Sequence, residues 1–172
     1  MHIFLSGQVQ IGKSTIINKT LELLGEGYKG FKTYGAEYKD DGSSVLYISP
    51  AENLSIKTRI ATRDKARIGK MEVDISSFEV VGAKILDDSI NSSCKLIIMD
   101  EIGFLESNYE NFKSKVREVL DSDKLVFGVL RNKNTAFLNE LRERKDIELI
   151  IVTEENRDSL PNLLYQKIKE AL

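Results

Sequence analysis

The chain has 172 residues, 41% of them hydrophobic, two prolines and a formal net charge of −2, which suits one compact core and argues against a protein dominated by nucleic-acid backbone binding. Cys94 is the only cysteine and His2 the only histidine, so disulfide frameworks, zinc clusters and histidine-based triads are excluded. An immediate strand and glycine-rich turn leave no room for a cleavable leader, and no apolar run is long enough to span a bilayer; a soluble cytoplasmic protein of one domain, residues 1–172, without membrane contact is expected.

Ile3-Phe4-Leu5 predicts a strand over 2–6. Gly7-Gln8-Val9-Gln10-Ile11-Gly12-Lys13-Ser14 follows it and fits G-x-x-x-x-G-K-[ST], the phosphate-binding loop. The chain must turn around an anion and enter a helix with its free N–H groups aimed at that anion, so Gly7 and Gly12 stand where a Cβ would obstruct. Lys13 then reaches the β- and γ-phosphates. The Ser14 hydroxyl is a hard oxygen donor suited to Mg²⁺, whereas Thr15 stands one residue too late for that role. Ile16, Ile17, Leu21 and Leu24 form the apolar stripe of a helix over 13–24, ended by Gly25.

The stretch of about 30–74 breaks the strand–helix rhythm. Strands over 31–37 and 44–49 flank Tyr38-Lys39-Asp40-Asp41-Gly42-Ser43, which reads as a hairpin turn and implies a small antiparallel excursion laid over the main sheet, able to shield a nucleotide. Within this insertion Lys57, Arg59, Arg63, Lys65, Arg67 and Lys70 face the single acid Asp64: either a lid bringing positive charge to phosphates or a solvated face. A helix over 76–90 opens on a capping box, Ser76 to Glu79. A strand over 95–99 then runs Leu96-Ile97-Ile98-Met99 into Asp100 and Glu101. Continuous apolar runs are buried parallel strands, and ligands bind at their carboxyl ends. Asp100 there would hold Mg²⁺ through water, and Glu101 would orient or deprotonate an attacking water unless it merely caps the Ile102-Gly103 turn.

A second capping box, Ser107 to Glu110, opens a helix over 107–121 with Phe112, Val116, Val119 and Leu120 as its core stripe. The strand over 125–130 ends at Arg131, either a partner for the γ-phosphate charge that grows in the transition state or a surface arginine. A helix over 134–144 and a strand over 147–152 follow. Asn156 and Arg157 then either meet a base, by its edge and its face, or form a capping turn before Pro161. The last helix, over 158–171, carries Leu160, Leu163, Leu164 and Ile168 on one face. Such alternation predicts a three-layer α/β fold with a mainly parallel sheet covered on both faces. The residues point to a Mg²⁺-dependent nucleoside-triphosphate phosphohydrolase. A nucleoside or nucleotide kinase, or a nucleotide-gated nucleic-acid or protein-binding factor, are the alternatives; nucleic acid itself is not an expected partner.

Asp100-Glu101-Ile102-Gly103 with Glu106 and Ser107 after it, Ile68-Gly69-Lys70, Gly30-Phe31-Lys32-Thr33 and Glu155-Asn156-Arg157-Asp158-Ser159-Leu160-Pro161, in order behind an N-terminal phosphate loop, resemble the small nucleoside-triphosphatase family known from thermophilic prokaryotes and from the human cancer-related NTPase. The resemblance runs nearly end to end. It implies a RecA-like P-loop fold and slow, Mg²⁺-dependent hydrolysis of nucleoside triphosphates with little base discrimination. Gly12, Lys13, Ser14 and Thr15 fall on the family's phosphate loop, Asp100 and Glu101 on its acidic pair, Lys70 on the lysine of its V-G-K-Y block, and Asn156 and Arg157 on its C-terminal motif. The chain departs from the family at Val9 and Gln10, where proline and a further glycine are usual. It departs again at Phe104 and Leu105, which replace a basic residue and a methionine, and at Met71, which replaces tyrosine.

Overall fold

The computed structural model of the chain describes residues 1–38, 44–63, 71–103 and 109–172. Alternating strands and helices appear in the order β1 (His2–Gly7), α1 (Lys13–Leu24), β2 (Tyr28–Tyr38), β3 (Ser44–Pro50), β4 (Thr58–Arg63), β5 (Met71–Val73), α2 (Ile75–Ile90), β6 (Leu96–Ile102), α3 (Glu110–Leu120), β7 (Leu125–Leu130), α4 (Ala136–Glu143), β8 (Ile147–Val152) and α5 (Leu160–Ala171). Among the described residues eight strands form one sheet in the order β5-β4-β3-β2-β6-β7-β1-β8. The run from β2 to β8 is parallel, and β3, β4 and β5 add antiparallel strands at one edge. Because β7 lies between β1 and β6, the loop after β1 and the acids ending β6 face each other across one intervening strand.

The central strands read as apolar runs because both of their faces are covered. On one face Ile16, Ile17 and Leu21 of α1 and Leu160, Leu164 and Ile168 of α5 pack on Ile3, Leu5, Ile98, Phe127 and Val129. On the other, α2, α3 and α4 bring Leu86, Phe112, Val116, Leu138 and Leu141 onto Phe4, Phe31, Ile97 and Met99. Phe31 and Phe112 meet edge to face with centroids 5.5 Å apart, and each fully buried ring contributes on the order of 2 kcal/mol. These are the three layers that the strand–helix alternation implies.

Several expected features change. The antiparallel excursion exists, but it extends the sheet instead of lying over it, since β3 pairs with β2 and β4 with β3. Part of the basic run is thus strand β4, with Ile60 and Ala61 buried, while Lys57 lies over the Tyr47 ring at 4.8 Å. Asp64, Lys65, Arg67, Ile68, Gly69 and Lys70 lie outside the described residues, as do the 39–43 turn, Phe104, Leu105, Glu106 and Ser107. Helix α2 begins one residue before Ser76, and Glu79 Oε1 accepts instead from the Asn111 N–H, 2.8 Å away in the first turn of α3. Helix α3 starts at Glu110 with Tyr109 in the capping position, and β2 begins at Tyr28, ahead of the expected 31, because Tyr28–Lys32 pair with Leu96–Asp100.

At the amino ends of the parallel strands, His2 is only 3% exposed. Its Nδ1 accepts from the Val126 N–H at 3.2 Å, so Nε2 carries the proton that it donates to Leu120 O at 2.9 Å. Burial lowers the His2 pKa below the ordinary imidazole value of 6.5, although the Leu120 carbonyl opposes the shift. The unfolded chain therefore binds more protons on this group than the folded one just below pH 6.5, and its stabilising contribution is complete above that pH and is lost as the pH falls towards the depressed folded value. The difference in urea midpoint between the protein and a His2→Asn variant should accordingly shrink between pH 7.5 and pH 5.5. A constant difference across that range would show that His2 does not titrate differently in the fold.

Candidate functional site

The carboxyl ends of β1, β2, β6, β7 and β8 gather at one end of the sheet. Gly7 ends β1 with φ 140°, and a Cβ there would sit 2.7 Å from the Val152 carbonyl oxygen of β8, so the residue must lack a side chain. Gly12 caps α1 in the left-handed region at φ 109°, with no side-chain cap and no acid in the first turn. Among the described residues no capping oxygen or first-turn carboxylate serves the N–H groups of that turn, and together with the helix dipole they suit an anion. Lys13, 7% exposed, folds over the loop and donates to Gln8 O at 2.6 Å and Gly7 O at 3.3 Å. Burial lowers its pKa, with Glu101 pulling the other way.

From β6, Asp100 meets this loop. Ser14 Oγ donates to Asp100 Oδ1 at 3.2 Å across 86 positions of sequence. Asp100 is 3% exposed, and burial raises its carboxyl to about 6 against the opposing effects of the Ser14 hydrogen bond and the Lys32 charge. Glu101 is likewise raised by burial, opposed first by Arg131 and then by Lys13. Arg131 Nη1 lies 3.6 Å from Glu101 Oε1, and the Arg131 N–H donates to Ile102 O at 2.9 Å, which ties the ends of β6 and β7 together. Gly7, Gln8, Val9, Gln10, Lys13, Glu101, Arg131, Asn132 and Lys133 line a cleft of about 270 Å³. A larger cavity of about 510 Å³ opens at the opposite end of the sheet beside His2, where Arg144 is already committed to Asp121 and Asp146; the chemistry belongs to the smaller cleft.

The site residues inferred from sequence thus divide. Gly7, Gln8, Val9, Gln10, Ile11, Gly12, Lys13, Ser14 and Thr15 make the loop and first helical turn, and Asp100, Glu101 and Arg131 converge on it. Asn156 is held by its own turn: Oδ1 accepts from the Thr153 N–H at 2.9 Å and Nδ2 donates to Ile151 O at 2.9 Å, while Ser159 stands in the capping position of α5. Arg157 is exposed in that turn, next to the end of β8. Lys70 lies outside the described residues.

Two residues escaped the sequence reading. Thr33 Oγ1 donates to Asp100 O at 3.3 Å and accepts from the Glu101 N–H at 3.2 Å, clamping the backbone of the acidic pair. Lys32 is 9% exposed, donates to Asn18 Oδ1 at 2.6 Å and sits in register with Asp100. A lysine inside the strand that contains Gly30-Phe31-Lys32-Thr33 was the available signal. Its neighbour β6 is some seventy positions away, so the contact was not.

Ser14 and Asp100 form a hard-oxygen pair, and among the described residues no group of three or more histidine, cysteine, aspartate or glutamate side chains could hold a metal ion. Mg²⁺ fits such a sparse donor set, since it keeps several waters and is usually shared with phosphate oxygens. Among the described residues no helix is long and apolar enough to cross a membrane.

A family model described as NTPase matches residues 2–165. Nucleoside-triphosphatase THEP1 of Methanosarcina barkeri is 34% identical over 176 residues, spanning 99% of this chain and 98% of that protein. The mouse cancer-related nucleoside-triphosphatase homolog is 31% identical over 175 residues, covering 92% of each chain. In three dimensions the chain is similar to the crystal structure of THEP1 from the hyperthermophile Aquifex aeolicus, with a TM-score of 0.79 and 26% identity over 97% of this chain and 98% of that one.

Proposed function

The chain belongs to the NTPase family and is a nucleoside-triphosphatase, and we propose that it is a Mg²⁺-dependent one, slow and of low base specificity, cleaving ATP, GTP and other nucleoside triphosphates to the diphosphate and phosphate. The observation that carries this reading is the Ser14 to Asp100 hydrogen bond beside Lys13 and Glu101, which joins the phosphate loop to the acidic strand end.

In this reading the first-turn N–H groups of α1 and the Lys13 ammonium bind the β- and γ-phosphate oxygens. Ser14 and Asp100 would hold Mg²⁺, which when bound would supply neutralisation of the charge on the triphosphate. Glu101 accepts a proton from the attacking water and fixes its direction, with burial raising its basicity towards neutral pH. Arg131 stabilises charge developing on the γ-phosphoryl group. It shares its guanidinium with Glu101 at 3.6 Å, and that division supports modest turnover. The Asn156 amide is oriented by its own turn, which leaves the exposed Arg157 as the better placed of the two to meet the base, and a guanidinium stacking on a ring face does not read the base edge. That supports tolerance of different bases.

Incubation of the protein with ATP, GTP, CTP or UTP in the absence of any phosphate acceptor should release inorganic phosphate from all four at rates within about tenfold of each other, and EDTA should stop it. Release that starts only when an alcohol or nucleoside monophosphate is added would replace this reading with phosphotransfer.

A further inference from the structure

We propose that Lys32 decides how the chain takes its divalent cation: its buried ammonium offsets Asp100, so the pocket binds the metal together with a triphosphate and only weakly as the free ion. The inference rests on the reading of Ser14 and Asp100 as the metal pair.

Lys32 and Asp100 are direct register partners across the parallel pair β2 and β6, so their side chains leave the same face of the sheet from origins about 5 Å apart. That face lies under α1, whose Ser14 and Asn18 stand one helical turn apart. Ser14 donates to Asp100 at 3.2 Å, and Asn18 accepts from Lys32 at 2.6 Å. The two hydrogen bonds and the strand register thus place a cation and an anion at neighbouring positions under α1, both nearly shielded from solvent at 9% and 3% exposure. At such burial solvent screens the two charges less than it would at the surface. Lys32 exerts the largest charge effect on the Asp100 carboxyl, ahead of Glu101 and Lys13.

Three cations, Lys13, Lys32 and Arg131, thus stand against two carboxylates, Asp100 and Glu101, at this end of the sheet. With all five ionised the cluster carries a net positive charge. A free dication entering beside Asp100 is repelled, while a triphosphate is drawn in and brings its own cation. Without the Lys32 charge the cluster is neutral, and Asp100 becomes available to a bare metal ion.

Mn²⁺ titrated into the nucleotide-free protein at pH 8.5, with the unbound ion followed by electron paramagnetic resonance, tests this without any turnover. Lys32→Met should bind Mn²⁺ about tenfold or more tightly than the unaltered protein, and Lys32→Arg should not. Asn18→Asp keeps the buried lysine and gives it a carboxylate partner; it should shift Mn²⁺ affinity in the same direction as Lys32→Met, which covers the case in which that variant does not fold. Unchanged or weaker Mn²⁺ binding in folded Lys32→Met, or in Asn18→Asp if the former is unfolded, would overturn the proposal. Adding Asp100→Asn to Lys32→Met should abolish the gain. Tightening that survives this second change would overturn the metal-pair reading, and the proposal with it.

Discussion

Replacing Lys13 with alanine should lower kcat/KM for ATP by at least about a thousandfold while moving the thermal midpoint by only a few degrees. The two effects separate because of what this ammonium touches in the fold. It donates to the carbonyls of Gln8 and Gly7, in a loop where Gln8 is exposed and water can replace it. Burial already disfavours its charge, as the lowered pKa records, so its removal relieves a desolvation cost and leaves no buried partner unpaired. On a triphosphate the same amine faces two phosphoryl groups, with charge that grows during transfer. Lys13→Arg should rescue little, because the guanidinium is a wide planar fork in place of a compact point charge. Steady-state phosphate release and calorimetry on the same preparations decide the matter. A variant retaining turnover within tenfold of the original would remove Lys13 from the phosphate site.

The parts of the fold that were legible in the sequence are those whose signal is local. The strand at Ile3-Phe4-Leu5, the glycines at 7 and 12 and the stripe from Ile16 to Leu24 each specify their own conformation, and the site's first half follows from them. Strand β4 was not legible. Thr58–Arg63 mixes arginines with Ile60 and Ala61, a composition that reads as a charged surface, although charges near a sheet edge are a usual guard against unwanted pairing. Gly27 and Gly30 disguised the start of β2 as a loop, yet Tyr28–Lys32 pair with β6 and bring Lys32 to Asp100. That juxtaposition is set by strand order, which no local pattern encodes. The Asn156 bonds were hidden for the opposite reason: its partners are three and five residues away, and residue type alone does not say that an amide turns to its own backbone.

Glu101→Gln should reduce kcat by about a hundred- to ten-thousandfold with KM for the nucleotide changed far less, because a general base acts on the water and not on the phosphates. The substitution keeps the shape of a side chain that is about a quarter exposed, so folding is little affected; what is lost is proton affinity and the charge facing Arg131 at 3.6 Å. The arginine supplies a second, independent readout. Burial pushes the Glu101 pKa up and Arg131 is the strongest influence holding it down, ahead of Lys13. Arg131→Ala should therefore raise that pKa further, and a base is active only once deprotonated, so the acid limb of the kcat profile should move to higher pH along with a loss of rate at its plateau. A glutamate that merely caps the turn after β6 has no reason to move a pH profile, and its amide should turn over normally. Full activity in Glu101→Gln, or an unmoved acid limb in Arg131→Ala, would transfer the water to some other group at this strand end. Thr33 could not take its place, since its hydroxyl is engaged with the backbone of the acidic pair.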